Sequence, residues 1–148
     1  MDPQKNKVTG AYYTKHLSKD LIPACEKLYK NNDFIFMQDG ATSHTSNLCQ
    51  NFLKEKLGKG RFVDKTEWPP KSPDLNVLDY YFWDRVQNKV YEGRTKPFDN
   101  LGQLKRRIKN VWYDTAELDE IQRSVLQFRK RLIAVVANKG GPIKSYYG

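Results

Sequence analysis

Two aspartates are the residues of this chain best suited to chemistry: Asp39, in the segment FMQDGATSH (Phe36 to His44), and Asp79, in WPPKSPDLNVLDYYFW (Trp68 to Trp83). Carboxylates that a fold brings together can share a hard divalent cation, which selects oxygen ligands over thiol or imidazole. Asp39 closes the apolar run Phe34, Ile35, Phe36, Met37, which reads as a short buried strand followed by a Gly-Ala-Thr-Ser turn. An acid at such a strand end stands at the mouth where open α/β sheets take their ligands. From about Asn76 to Val90 the residues fit a helix, and Asp79, Phe82, Trp83, Val86 and Val90 recur on one face of it. That phase puts Asp79 on the apolar stripe, where an ionised group is costly unless a cation compensates it. Asp84, with Asn88 beside it, points the other way into solvent. The plainer reading of the same residues makes Asp39 a helix cap and Asp79 a first-turn acid favoured by the helix dipole.

QDGATSHTS followed by WPPKSPDLNxLDxxxW closely resembles the catalytic domain of the mariner-type transposases, DNA cut-and-paste enzymes with a DDE or DDD acid set and an RNase H-like fold. The resemblance spans most of the chain. It implies that Asp39 matches the second of three metal-binding carboxylates and Asp79 the third, with Asp74 part of a shaped turn ahead of the Asp79 helix. The gap between the two matched acids is longer than in the best-known members, as it is in some mariner-like subfamilies. The family also keeps a His where His44 stands, which implies a part in orienting the turn or touching DNA, beside the plainer reading of a structural hydrogen bond. Further implications are Mg²⁺ or Mn²⁺ as cofactor, DNA as partner (transposon ends and target), and a nuclear, intracellular location; a homo-oligomer is an expectation of the truncated sheet.

The family's first catalytic aspartate lies on an early strand, well upstream of the QDxA segment. Asp2, Asp20 and Asp33 precede Asp39 here, and none ends an apolar run. The segment Val8 to Tyr29 instead resembles the helical stretch that follows the family's third strand. The chain, residues 1–148, is therefore expected to be the C-terminal part of a transposase catalytic domain, without the first acid and without the N-terminal helix-turn-helix DNA-binding region. The expected fold class is α/β: a partial RNase H-like fold, a few-stranded sheet with flanking helices, its first three strands absent. The expected function is that of a transposase fragment with two of three catalytic acids, from a family that cleaves and transfers DNA strands, and inactive by itself. The alternative is a non-catalytic module, derived from a transposase, that binds nucleic acid or protein. A different RNase H-like nuclease is a third reading, which the SPDLNxLD string argues against. A sheet so truncated would expose an edge, so the fragment is expected to be marginally stable, to aggregate or to self-associate.

Composition agrees with a nucleic-acid partner without identifying one. The chain has 26 Lys and Arg against 17 Asp and Glu, a net charge of +9, and a pI near 9.5, enough for salt-sensitive attraction to phosphates. Candidate contacts are Lys54, Lys56, Lys59 and Arg61, between the two motifs, and Lys105, Arg106, Arg107 and Lys109, on a helix with the apolar face Leu101, Leu104, Ile108, Val111 and Trp112. For both groups a solvated face is the competing account. Cys25 and Cys49 lack metal-ligand spacing and read as free buried thiols. No apolar stretch is long enough to span a membrane. Periodicity and breakers give helices over about 12–30, 46–57, 76–90 and 118–138, with another that Asp99 would cap, and Phe62 and Val63 as a second short strand parallel to the first. In the last helix Val125, Phe128, Leu132 and Val136 form one stripe.

Overall fold

The structure, a computed structural model, describes residues 7–115 and 118–143; Asp2 lies outside them. It is 62% helical. Among the described residues there is no sheet, only one isolated parallel bridge between Phe36 and Phe62. This overturns the expected α/β, partial RNase H-like architecture. Phe36 N–H donates to the Arg61 carbonyl and Val63 N–H to the Phe36 carbonyl, both at 2.9 Å, so the two segments meet as anticipated but the ladder stops there. Beyond the bridge, Val63 leads into the hydrogen-bonded turn at Asp64, and Ile35 is 67% exposed. One pair of short segments without a third neighbour does not amount to a stable sheet.

The chain divides into two compact units, Met1–Lys71 and Ser72–Gly148. In the first, α1 (Gly10–His16) begins at Thr9, whose hydroxyl accepts from Tyr12 N–H. A π-helical turn over Leu17–Leu21 follows, then α2 (Ile22–Leu28). Pro23 accounts for the widened turn: it cannot donate to residue 19, and the ladder reconnects through Ile22 N–H to the Leu17 carbonyl. After the Phe36 bridge, α3 (Asn47–Leu57) is capped by the Ser46 hydroxyl, which accepts from Cys49 N–H, and stops at Gly58 with φ of 77°. Leu17, Ile22, Cys49, Leu53, Leu57 and Phe62 form the core. Gly10 allows α1 to approach α3, since a Cβ there would meet Ser46 Oγ at 2.4 Å. Both cysteines are free; Cys49 is buried and Cys25 only partly so.

In the second unit a 3₁₀ turn (Pro73–Leu75) and a π-helical turn (Leu78–Phe82) lead into α4 (Trp83–Tyr91). Helix α5 (Leu101–Thr115) follows, then α6 (Leu118–Leu126) and α7 (Phe128–Ala137). Asn100, not Asp99, caps α5: its Oδ1 accepts from Gln103 N–H at 3.0 Å, while Asp99 accepts from the Gln103 side chain. The single C-terminal helix is broken at Gln127. Its expected apolar stripe is mostly at the surface, with Val125, Leu132 and Val136 exposed; the buried positions are Ser124 and Arg131. The apolar cluster is small, Phe82, Val86, Val90 and Val111, and polar contacts supplement it. Tyr80 Oη donates to the Ser124 carbonyl at 2.6 Å. The Arg131 guanidinium lies 3.8 Å from the Tyr80 ring centroid and donates to the Asp74 carbonyl at 3.2 Å. No helix among the described residues is long and apolar enough to cross a membrane.

Candidate functional site

Asp39 follows the bridged segment at the start of a tight turn. Its Oδ1 accepts from Ala41 N–H at 3.1 Å and contacts His44 Nδ1 at 2.5 Å. The turn closes on itself through His44 and Thr45 N–H, which both donate to the Ala41 carbonyl at 2.9 Å. The His44 ring packs against Tyr13 of α1 with centroids 4.2 Å apart. Tyr13 Oη donates to Gln38 Oε1 at 3.0 Å, and the same amide's Nε2 donates to the His44 carbonyl at 3.2 Å. Gln50 Nε2, from α3, donates to that carbonyl as well, at 3.0 Å. Burial, reinforced by Cys49 and Asp39, holds the Tyr13 phenol well above its ordinary range, so it acts as a neutral donor. Burial likewise raises the Cys49 thiol, against the lowering effect of Gln38 and Thr14. The Asp39 side chain stays 44% exposed.

Asp79 is placed differently from its expected position. It is exposed, whereas Tyr80, Phe82, Val86 and Val90 are buried. The π-helical turn Leu78–Phe82 carries an extra residue and so shifts the phase that a regular α-helix would have continued. Trp83, expected on the same inner stripe, is also exposed. Exposed to solvent, the Asp79 carboxylate needs no cation to offset burial. Asn76 holds the acid: its Nδ2 donates to Asp79 Oδ2 at 2.9 Å, and its Oδ1 accepts from Leu78 N–H at 3.2 Å. Asp84 is exposed and accepts from Asn88 Nδ2 at 3.0 Å, as the helical phase anticipated. Asp74 ties down its own unit, its Oδ2 accepting from Ile143 N–H at 3.2 Å. Asp39 belongs to the first unit and Asp79 to the second. Among the described residues no group of three His, Cys, Asp or Glu side chains is arranged to hold a metal ion.

Some of the basic candidates have partners within the chain, although Lys54 and Lys56 among them stay exposed. Lys54 pairs with Asp64 at 3.1 Å and Lys56 with Glu26 at 2.9 Å. The Arg61 guanidinium lies 5.2 Å from the Phe34 ring centroid. Arg107 completes the end of α4, donating to the Lys89 carbonyl at 2.6 Å and more weakly to that of Val90. Lys59, Lys105, Arg106 and Lys109 are exposed. Lys105 and Lys109 share a hollow with Ile108 and Trp112, residues that also line a groove with Trp83, Val86, Val90 and Leu104.

Sequence reasoning missed Tyr13, Gln38, Gln50 and Asn76. Only Asn76 carried a local signal, since a side chain three residues ahead of an acid at a helix start has the spacing of a capping box.

The Tc3 transposase of Caenorhabditis elegans is 30% identical to this chain over 115 residues, 78% of the chain and 32% of that protein. The chain is a relative of the Tc1/mariner transposases. Two transposases of Caenorhabditis briggsae are similar as well: Tcb2, 29% identical over 75% of the chain and 37% of its own length, and Tcb1, 27% identical over the same shares. The transposase-related chain thus spans about a third of the length of these curated relatives. No family model and no solved structure matches it.

Proposed function

We propose that Asp39 and Asp79 are metal-binding carboxylates of a Tc1/mariner-type transposase that cleaves DNA and transfers strands in the nucleus. The observation that carries this reading is the state of Asp39. Both hydrogen bonds that the described residues give it fall on Oδ1, while the carboxylate remains partly exposed. Oxygen donors of this kind suit a hard cation. Bound Mg²⁺ or Mn²⁺ would supply activation of a water or a DNA 3′ hydroxyl and stabilisation of the leaving oxygen during in-line attack at phosphorus. The chain's own part is to hold the Asp39 carboxylate in one orientation through the Ala41 amide and His44, and that of Asp79 through Asn76. Exposed Lys59, Lys105, Arg106 and Lys109 would add electrostatic attraction to the DNA backbone.

The test is nicking of supercoiled DNA in Mg²⁺ or Mn²⁺ by the chain alone and together with the upstream part of a transposase. Cleavage is expected only in the second case, with Asp39→Ala and Asp79→Ala each abolishing it. Cleavage that survives either substitution would sink the reading.

A second reading, a DNA-binding module without catalysis, is favoured by the basic exposed residues of α5. In that case salt-sensitive DNA binding persists in Asp39→Ala and is lost when Lys105 and Lys109 become Glu.

A further inference from the structure

We infer that Tyr13, Gln38 and His44 form a positioning chain that fixes the Asp39 carboxylate for a divalent cation, so that α1 helps to build the metal-binding end of the turn. This rests on the reading of Asp39 as a metal ligand. The contacts run from the helix to the acid by two routes, one through the His44 main-chain carbonyl and one through its ring. Tyr13 Oη donates to Gln38 Oε1, Gln38 Nε2 donates to the His44 carbonyl, the Tyr13 ring covers the His44 ring, and His44 Nδ1 meets Asp39 Oδ1. An ionised carboxylate can only accept, so the His44 proton toward it must sit on Nδ1. The amide of Gln38 is likewise fixed in one orientation, because its oxygen and its nitrogen each have a defined partner. Two donors on one oxygen restrict rotation of the Asp39 carboxylate. They direct Oδ2 to ligand duty.

A purely structural role for the chain accounts for less of what is seen. The turn's backbone is already closed by its own bonds to the Ala41 carbonyl. Yet Gln50, only 3% exposed, is buried with its amide on the His44 carbonyl. Gln50 also accepts from Lys65 N–H at 3.1 Å, so it ties the His44 carbonyl to the segment after Val63, while the Tyr13 ring from α1 packs on the His44 ring that meets Asp39. Partners outside the ligand set commonly orient a metal-binding side chain in this way, and their loss weakens metal affinity by roughly 10–100-fold.

The experiment uses the whole chain and Mn²⁺ alone as probe. Paramagnetic broadening of the Gly40 and Ala41 amide signals is followed as Mn²⁺ is added, and the His44 ring nitrogens are read by ¹⁵N NMR. Asp39→Asn is expected to abolish the broadening at these two amides. His44→Ala should weaken it by roughly tenfold. His44→Asn, whose amide nitrogen can stand where Nδ1 stood, should restore most of the loss. Tyr13→Phe removes only a hydroxyl, keeps the fold, and should give a smaller weakening together with a changed His44 nitrogen signal. If Asp39→Asn leaves the broadening intact, the metal-ligand reading itself falls. If Asp39→Asn abolishes it while His44→Ala and Tyr13→Phe bind Mn²⁺ as the parent does, the ligand stands and the positioning chain is refuted. Equal loss in His44→Ala and His44→Asn would also refute it, because a donor at that position would then make no difference.

Discussion

In the first unit the carboxylate of Asp39 is oriented by His44 within its turn, and His44 is in turn held by Tyr13 from α1 and Gln50 from α3. In the second, Asp79 is held by Asn76, three residues away in the same turn. The cores differ in parallel. Among the described residues the first unit gathers its buried apolar side chains into one cluster that includes three residues of α3, whereas in the second Leu75 and Tyr80 are buried outside the Phe82, Val86, Val90 and Val111 cluster, and a buried guanidinium stacks on Tyr80. An acid placed by distant elements depends on the packing of its unit. The Asn76 contact to Asp79 spans three residues and so needs only local backbone geometry.

The comparison breaks most visibly at Leu53, a fully buried residue of α3. Leu53→Ala should cost about 2–5 kcal/mol in urea denaturation, as core truncations to Ala do. Because α3 also supplies Gln50, the same change should disturb the His44 and Asp39 signals in NMR spectra and leave the Asn76–Asp79 pair as it was. An undisturbed Asp39 turn in this variant would mean that packing does not position the acid.

Arg131 sharpens the contrast from the other side. It is 3% exposed, lies on the Tyr80 ring and donates to the Asp74 carbonyl. Removing the stack and the charged hydrogen bond by Arg131→Ala should cost about 2–4 kcal/mol. Arg131→Lys should recover little, since an ammonium lacks the planar face and fork that the site uses. A full recovery by Lys would show that charge alone matters there.

Much of this contrast could be read ahead of the structure, but not all of it. Helical periodicity located α1 to α4 within a few residues, and the apolar runs at Phe36 and Phe62 pointed to segments that do pair in parallel. Whether they grow into a sheet depends on neighbours that local pattern does not reveal. The phase of Asp79 failed for a sharper reason: an extra residue in the Leu78–Phe82 turn cannot be seen in a pattern counted at 3.6 residues per turn. Tyr13 was invisible as a partner of the Asp39 turn because 25 residues separate it from Gln38. The fate of the basic residues was just as hidden, since only packing showed that Arg107 serves the end of α4 while Lys105, Arg106 and Lys109 stay exposed.

A smaller effect is expected at Tyr80. Its hydroxyl donates to the Ser124 carbonyl from a buried position, so Tyr80→Phe should lose about 1 kcal/mol while keeping the ring under Arg131. Ser46→Ala, which removes the cap of α3 in the first unit, should lose a similar amount. If the Tyr80 change proves silent and the Ser46 change does not, the Tyr80 hydrogen bond is dispensable and the apolar packing of the second unit suffices.

The smallest effect concerns pH and falls on Asp64 of the first unit. The Thr66 backbone N–H, then Lys54, then the Thr66 hydroxyl hold its carboxyl down, from an ordinary 3.8 to about 2. A carboxyl whose folded pKa lies below its unfolded one adds stability at pH values above the unfolded pKa, and this is lost as pH falls through the folded value. The contribution should therefore be complete above about pH 4 and fade toward pH 2. Asp64→Asn should flatten that part of the acid-denaturation profile, and Lys54→Met should do so in part, because the Thr66 amide remains. A profile unchanged by Asp64→Asn would mean that neither Thr66 nor Lys54 holds this carboxyl in solution. Lys54 would then return to the set of cations open to DNA.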